Sequence, residues 1–195
     1  MSLMSFLFGK SKMSCQELVD MLAPRFANST LERFENEKEN EHSWITEATK
    51  EKCRTDPLKE WVLFNLAAYV TGCRLAMKPG AIHFEFVGSF IADCASDFVK
   101  RAVFKTETEF AQLAMERMAD YSMALEEADA VKKMLILSGK FLRNVGCDSD
   151  DIVYHMAASG SFMSELTATK TMFEDILKTI HLQIPGLAPE TSISQ

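Results

Sequence analysis

The apolar residues of this chain recur with helical spacing almost throughout, and one segment is apolar around most of its circumference. Between residues 56 and 80 the sequence reads DPLKEWVLFNLAAYVTGCRLAMKPG. Asp56 suits a helix N-cap, and Pro57 suits the first helical position, whose N–H has no partner within the helix. Lys78-Pro79-Gly80 ends the helix, because the residue before a proline avoids the α region. A helix that is apolar on nearly all sides must be surrounded, so we expect it to form the centre of a helical domain.

Three Ser/Thr-x-x-Glu motifs, which form capping boxes at helix N-termini, indicate further helices. They begin at Ser14, Ser29 and Thr106. Pro24 is expected to end or kink the first of these helices, because proline removes a backbone donor and clashes with the preceding turn. The second is predicted to run to about Cys53. Its apolar seam around Trp44 is thin, so this helix is either largely solvated or completed by a partner.

Two more helical stripes follow the central segment. Pro79 opens a helix that is predicted to run to about Phe104. After Thr106, apolar residues keep to one helical face as far as Leu135. That stripe fits either one very long helix or two helices with a bend near residues 128–133.

The C-terminal third of the chain predicts two helices. Residues 134–137 are apolar without interruption, which favours deep burial there, and Gly146 suits the position just after a helix end. A short helix is predicted from Asp151 to about Ala158, and Gly160-Ser161 is expected to break it. The last helix has the clearest helical period and is predicted to end at Ile184-Pro185-Gly186.

These patterns predict an all-α fold, a single-domain helical bundle of about six or seven helices. The stretch His83–Val87 alternates apolar and polar residues, but it lies inside a longer helical period. We expect the folded domain to span residues 14–184. Residues 1–13 are predicted to be a flexible segment, of which residues 1–3 could derive from a cloning vector, and residues 185–195 are predicted to be a disordered tail.

Composition narrows the function classes. The chain has 195 residues and a net charge of −7, which argues against nucleic-acid binding, because such binding depends on basic side chains. The segment Trp61–Met77 is shorter than the roughly 20 apolar residues of a membrane span. The five cysteines have no metal-binding spacing, and no signal peptide is visible, so a reducing cytoplasm is the expected location.

The helix after Pro79 carries the main candidate binding surface. One of its faces is predicted to be an ordinary core stripe that contains Phe84, Val87 and Phe98. Its other face mixes two aromatic rings with an imidazole and two carboxylates, at spacings of three and four. Its residues are His83, Phe86, Phe90, Asp93 and Asp97. Such a face needs a neighbour, which would be another helix, a second subunit or a ligand.

Arg117 lies within the apolar stripe that also contains Tyr121, so its guanidinium must be paired if that face is buried. We expect it to meet Asp93 or Asp97, beside Tyr121 and Phe90. The pair would be either a structural ion pair between packed helices or part of a pocket that binds a carboxylate or phosphate against aromatic walls.

Asn65 is the second polar residue expected inside the bundle. It lies among apolar residues of the central helix, next to the small pair Ala68 and Gly72. A buried amide needs hydrogen-bond partners, and the small pair would let another backbone come close enough to supply them.

Other chemistry has weaker support in the sequence. Glu39-Asn-Glu-His42 matches half of a di-iron bundle motif and has no second copy, and Asp151 with His155 is an isolated pair, so we predict no metal and no cofactor. No nucleophile motif is present, and catalytic residues stay unassigned. The apolar tip Phe6–Phe8, followed by Lys10 and Lys12, could contact a membrane surface peripherally.

The sequence therefore favours a non-catalytic helical interaction or regulatory module that binds a protein partner or itself as a homodimer. The first alternative is a protein or enzyme that binds a small apolar or anionic ligand in a pocket between helices. Its candidate residues are Asn65, Phe90, Asp93, Arg117 and Tyr121. A metal-binding bundle is a lesser alternative.

Overall fold

The computed structural model describes residues 11–39, 43–47, 56–77, 79–147 and 151–183. Six helices of 15 to 28 residues and one four-residue helix form this part of the chain, with two short strands. The elements in chain order are β1 (Ser11–Ser14), α1 (Cys15–Lys38), α2 (Trp44–Glu47), α3 (Pro57–Ala76), α4 (Ala81–Lys100), α5 (Glu107–Leu125), α6 (Ala130–Asn144), α7 (Ile152–Thr179) and β2 (Ile180–Gln183). The prediction of an all-α bundle is confirmed.

Helix starts follow the local capping signals closely. The Asp56 carboxylate accepts hydrogen bonds from the backbone N–H groups of Leu58 and Lys59, at 3.0 and 3.3 Å. Ser14 forms the predicted capping box of α1. The Thr106 hydroxyl accepts from the Glu109 N–H at 3.0 Å. These signals need only neighbouring residues, which is why the sequence predicted them correctly.

Pro24 was predicted to end or kink its helix, and the structure excludes the end; the predicted helix start at Ser29 is wrong. Both residues lie inside α1, where the Ser29 hydroxyl donates to the Phe26 carbonyl. The residues around Pro24 are buried, Ala23 and Phe26 among them, so packing outweighs the lost backbone hydrogen bond. The predicted end of the second helix, near Cys53, lies outside the described residues.

The two-helix alternative for the stripe after Thr106 is confirmed. Helix α5 ends at Leu125, and Asp129 caps α6 by accepting from the Lys132 N–H at 2.9 Å. Gly146 has a φ of 73°, as expected for a residue just after a helix end. The predicted burial of residues 134–137 is wrong for all but Leu137, because neighbouring helices cover α6 on one side only.

Helix α7 continues through Gly160, so the predicted break there is wrong. Glycine inside a helix costs only about 1 kcal/mol, and the fully buried Phe162 in the next turn offsets that loss. After Thr179 the chain becomes β2, which pairs in parallel with β1. These four-residue strands are too short to show an alternating pattern, and the sequence did not predict them.

Several sequence predictions concern residues outside the described part. These are the tail at 185–195, the apolar tip Phe6–Phe8, and most of the predicted flexible segment at 1–13. Within that segment, residues 11–13 belong to β1. No helix among the described residues is long and apolar enough to cross a membrane.

Helix α3 is the centre of the bundle, as predicted. It contributes to two hydrophobic clusters. The first joins α3 to α1, α4, α5 and α7, and the second joins α3 to all the other helices except α4. At Gly72 the backbone of α7 comes so close that an added Cβ would lie 2.5 Å from the Leu166 carbonyl oxygen. The small residue predicted to allow close approach does so here.

Candidate functional site

The polar-aromatic face of α4 is buried inside the same chain. Phe90 stacks on Tyr69 with ring centroids 4.5 Å apart, and Phe86 meets Phe173 edge-on at 5.0 Å. The predicted core residue Phe84 is instead 67% exposed. The core assignment of the two faces was therefore wrong at Phe84, because spacing alone does not say which of two apolar stripes the neighbouring helices cover. A second subunit is not needed to cover Phe86 and Phe90.

His83 is buried with this face, and neither ring nitrogen has a hydrogen-bond partner in the described part of the chain. Burial lowers the pKa of His83, and the positive charge of Arg74 lowers it further. The imidazole is therefore held in its neutral form.

The predicted pairing of Arg117 with Asp93 or Asp97 is wrong. Asp93 accepts a hydrogen bond from the Gln16 amide at 3.2 Å, and Asp97 pairs with Arg101 one turn later at 3.0 Å. Both carboxylates lie at the edge of the buried face. They serve local contacts between α1 and α4 and within α4.

Arg117 pairs with Glu60, a carboxylate at the start of α3 that is fully buried. The Arg117 Nε donates to both carboxylate oxygens, at 2.9 and 2.8 Å. Oε1 also accepts from the Tyr121 hydroxyl and from the Asn144 amide, the latter at 3.0 Å. We call these four residues the Glu60 network. It links α3, α5 and α6.

Glu60 is not among the candidate residues that the sequence singled out. An acidic residue in the first turn of a helix normally faces water and the helix dipole, so its burial has no local signal. The available signal was the excess of polar groups on the facing helix, since Arg117 and Tyr121 lie one turn apart on an otherwise apolar stripe. That signal shows that a partner is needed and does not say which one.

The Glu60 network is electrostatically satisfied. Burial raises the pKa of Tyr121 well above its usual value, and the Glu60 charge adds to that shift, so the phenol stays a neutral donor. Burial by itself would lower the pKa of Arg117, but its hydrogen bonds and charge pairing with Glu60 raise it. Such an arrangement fixes three helices together.

A surface cleft of about 200 Å³ lies beside this network and is lined by Asp120, Lys140, Arg143 and Asn144. Asn144 joins the cleft to Glu60, and Lys140 lies 3.6 Å from Asp120. Both signs of charge are present, so the cleft shows no clear preference for anions or cations.

A second group of polar residues lies between α1, α3 and α7. Trp61 donates to the Thr30 carbonyl at 3.0 Å, and Arg33 pairs with Glu165 at 2.7 Å. Four buried polar atoms of this group have no hydrogen-bond partner among the described residues. They are Thr30 Oγ1, Arg33 Nη2, Asn65 Oδ1 and Tyr69 OH. We call this group the polar seam.

Asn65 belongs to the polar seam, and its predicted partner was wrong. Its amide nitrogen donates to the Trp61 carbonyl of its own helix at 2.8 Å, rather than to another helix. The close approach at Gly72 serves packing between α3 and α7 and supplies no bond to Asn65.

Ser138 and His155 form the only serine–histidine hydrogen bond between side chains of the described residues, at 2.7 Å. The Ser138 hydroxyl also lies 2.7 Å from the Met134 carbonyl, which can only accept. Its single hydrogen therefore goes to that carbonyl, and the His155 Nδ1 must be the donor to Ser138. The pair joins α6 to α7.

Metal ligands are not gathered in the described part of the chain, where no three His, Cys, Asp or Glu side chains are placed to hold an ion. The predicted half-motif at Glu39–His42 extends beyond the described residues. Four cysteines are buried, and the fifth, Cys53, lies outside the described residues. They are Cys15, Cys73, Cys94 and Cys147.

The most unusual surface of the protein lies on α6 and the first half of α7. Eight of the thirteen large apolar side chains that are exposed in the described part of the chain lie here, each 38% to 67% exposed. They are Val131, Met134, Leu135, Ile136, Ile152, Val153, Met156 and Met163. We call this surface the α6–α7 face.

The two helices of the α6–α7 face lie side by side. They are joined by the short connection after Asn144, and the Ser138–His155 bond holds them together. Ile152, Met156 and Met163 follow one stripe of α7, at spacings of four and seven. Exposed apolar residues that are grouped in this way mark binding surfaces more often than scattered ones do.

Comparison of the chain with protein-family models, with curated protein sequences and with solved structures found no match.

Proposed function

We propose that this protein is a non-catalytic helical interaction module that docks another protein chain on its α6–α7 face. The observation that carries this proposal is the concentration of exposed apolar side chains on that face. Leaving such a surface in water costs free energy, at about 25 cal/mol per Å² of apolar area, and a docked chain recovers it. The docking surface thus differs from the α4 face that the sequence suggested.

The buried contacts on the inner side of helix α6 favour this role. Phe141 of α6 is fully buried between Trp44 and Phe64, at centroid distances of 4.7 and 4.4 Å. Asn144, one turn later, is bonded to the buried Glu60 carboxylate. Helix α6 is therefore fixed along its inner side while its outer side stays open, and a preformed surface binds with a smaller loss of conformational entropy.

The buried free thiols of Cys15, Cys73 and Cys94 fit a reducing compartment, so a cytoplasmic location is part of this proposal. Burial raises the pKa of Cys73 to about 12, which keeps this thiol protonated and unreactive.

Size-exclusion chromatography of the tagged protein in extracts of its native cells tests the proposed function. We expect the wild type to elute above its monomer mass of 21.9 kDa. The double variant Leu135→Glu/Met156→Glu should elute as a monomer, because two carboxylates would have to be buried on docking. Phe84→Glu, on α4, should elute like the wild type. Elution of the wild type as a monomer contradicts the proposal.

A second candidate function is the binding of a small polar ligand at the polar seam. It is favoured by the four buried polar atoms without partners, which include both an acceptor, Asn65 Oδ1, and a donor, Arg33 Nη2. Buried polar groups are normally bonded, and a ligand with its own donor and acceptor would complete them. The aromatic ring of Tyr69 and the indole of Trp61 would form its apolar walls.

Native mass spectrometry of the protein from its own cells tests this second candidate. A bound small molecule should appear as a fixed mass increment that is lost in Asn65→Leu and kept in Arg74→Gln, which is on the exposed side of α3. An unshifted mass for the wild type contradicts ligand binding at the seam.

A further inference from the structure

The charges that border the α6–α7 face indicate which kind of partner fits it. We propose that the partner presents an amphipathic helix whose apolar stripe is bordered by acidic side chains. This inference rests on the proposed function and names the chemistry of the docked chain.

A helix suits this face better than an extended strand does. A strand binds by pairing its backbone with the open edge of a sheet, whereas the N–H and C=O groups in the middle of α6 and α7 are bonded within their own helices. A docked helix also bonds its backbone internally, so it needs only side-chain contacts from the face. Met134, Met156 and Met163 supply such contacts, and flexible thioethers adapt readily to the surface of a partner helix.

The first half of α7 is the uncharged part of the face. Residues 152–164 include no Asp, Glu, Lys or Arg. A partner helix that packs here therefore removes no charge of this chain from water, which would cost free energy. Gly160 lies on the exposed side of this segment, and an added Cβ there would meet nothing within 4 Å, so the partner has room to approach.

Helix α6 supplies the charges of the face, and all of them are positive. Its exposed apolar centre is Ile136. Four basic side chains lie three, four or seven residues from Ile136 and so on the same side of the helix. They are Lys132, Lys133, Lys140 and Arg143. Lys140 pairs with Asp120 of α5, and the other three form no ion pair among the described residues. Three positive charges therefore remain to meet acidic groups of a partner.

The acidic side chains of the turn before α6 lie farther from this centre. They are Glu126, Glu127 and Asp129. At 1.5 Å per residue, Asp129 lies about 10 Å from Ile136 along the helix axis, whereas Lys132 and Lys133 lie about 4 to 6 Å from it. Physiological salt screens exposed charges beyond about 8 Å, so the basic side chains dominate around Ile136.

The remaining charge of the molecule favours a protein helix over an anionic membrane. The chain has a net charge of −7, so a broad anionic surface would repel most of it, while a single helix can contact α6 alone. None of the exposed apolar side chains of the α6–α7 face is aromatic, whereas Trp and Tyr are the residues that typically lie at a lipid interface.

Fluorescence anisotropy of labelled peptides with the purified full chain tests this inference. The probes are two amphipathic helical peptides with the same leucine stripe, one bordered by glutamates and the other by lysines. The glutamate peptide should bind about tenfold more tightly or better, because it attracts the three unpaired cations that the lysine peptide repels. Salt at about 1 M, which screens charges beyond about 3 Å, should remove most of this difference.

Charge reversal on α6 should remove the preference. The double variant Lys132→Glu/Arg143→Glu changes two exposed side chains and should bind the glutamate peptide no more tightly than the lysine peptide. The matched control Arg25→Glu/Lys100→Glu makes the same change of net charge at exposed positions of α1 and α4, and it should keep the preference of the wild type.

Three results would overturn this inference. Equal affinity of the wild type for the two peptides contradicts the acidic border. Binding of neither peptide contradicts the helix, and binding to phosphatidylserine vesicles in place of both peptides makes a membrane the occupant. In the first two cases, a complex in native extract that Leu135→Glu/Met156→Glu abolishes would leave the proposed function standing. A wild type that elutes from extract as a monomer contradicts the proposed function itself.

Discussion

Glu60 determines how three helices meet. Its carboxylate is buried where α3, α5 and α6 converge, and it accepts bonds from Arg117, Tyr121 and Asn144. Removing a charge from water costs several kcal/mol, and the attraction between the ions repays that cost only when the other hydrogen bonds are also made. Each donor of the Glu60 network therefore matters more than its distance alone suggests.

We predict that Arg117→Leu destabilises the protein by about 3 to 5 kcal/mol, because it leaves the Glu60 carboxylate buried without its counter-charge. Urea unfolding followed by circular dichroism measures the change. Arg74→Leu is the matched control: Arg74 is exposed on the same helix as Glu60, and its loss should change the free energy of unfolding by less than about 0.5 kcal/mol.

The double variant Glu60→Leu/Arg117→Leu should regain part of the loss, because neither charge is then left alone. If Arg117→Leu is as stable as the wild type, the Glu60 network does not hold the helices together. A stable variant that had lost a bound ligand would instead indicate a binding role for Arg117.

We predict that the protein loses stability in mild acid because of His83. Its pKa is lowered in the folded protein, first by burial and then by Arg74, whereas in the unfolded chain it is near 6.5. Below pH 6.5 the unfolded chain therefore binds a proton more readily than the folded one. The free energy of unfolding consequently decreases as the pH is lowered. The fall stops once the pH is below the folded pKa.

Unfolding curves at several pH values should show this effect as a difference between wild type and His83→Gln. Above about pH 7 the difference should be constant, and between pH 6.5 and the folded pKa the wild type should lose stability faster than the variant. Parallel pH profiles would mean that His83 is accessible to water and titrates normally.

At the scale of elements, the sequence predicted what depends on near neighbours. The caps at Ser14, Asp56 and Thr106 are local hydrogen bonds, and they formed as expected. Local propensity disfavours both Pro24 and Gly160 inside a helix, so the sequence predicted an end or a kink at Pro24 and a break at Gly160. The helices continue through both positions because buried residues in the adjoining turns pack against other helices. Those helices are distant in the sequence, so local propensity does not show this effect.

Gly72 and Gly88 provide a test of the packing between elements. Gly72→Ala should destabilise the protein by about 1 to 3 kcal/mol, because the new methyl group would lie 2.5 Å from the Leu166 carbonyl oxygen and force α3 from α7. Gly88→Ala is the control: a methyl group there meets nothing within 4 Å, so better helix propensity should stabilise the protein by about 0.5 to 1 kcal/mol. Thermal unfolding measures both. Equal effects of the same sign would show that α3 and α7 are not in close contact.

For the whole molecule, the sequence predicted the central place of α3 but not the assignment of surfaces. Arg117 and Glu60 are 57 residues apart, and no spacing rule connects them. The choice between the two stripes of α4, and the exposure of residues 134–137, depend on which sides of α4 and α6 the other helices cover. The helical period of a sequence shows which residues share a face of a helix. Only the packing of the whole bundle determines which of these faces are exposed to solvent.

The arrangement of the whole molecule explains why its binding surface would be on α6 and α7. Helix α3 uses nearly all of its circumference for the core, and α4 buries its aromatic face against α1 and α7. Helices α6 and α7 complete the second hydrophobic cluster from outside, so their outer sides keep apolar residues that no described part of the chain covers.

The most direct test of this account is hydroxyl-radical footprinting of methionines in native cell extract, compared with the purified chain at high dilution. Met156 on the α6–α7 face and Met115 on α5 are 63% and 68% exposed, so they should oxidise at similar rates in the dilute chain. The account predicts that in extract the oxidation of Met156 falls several-fold relative to Met115. An unchanged ratio would show that no other chain covers the α6–α7 face, and would contradict the account.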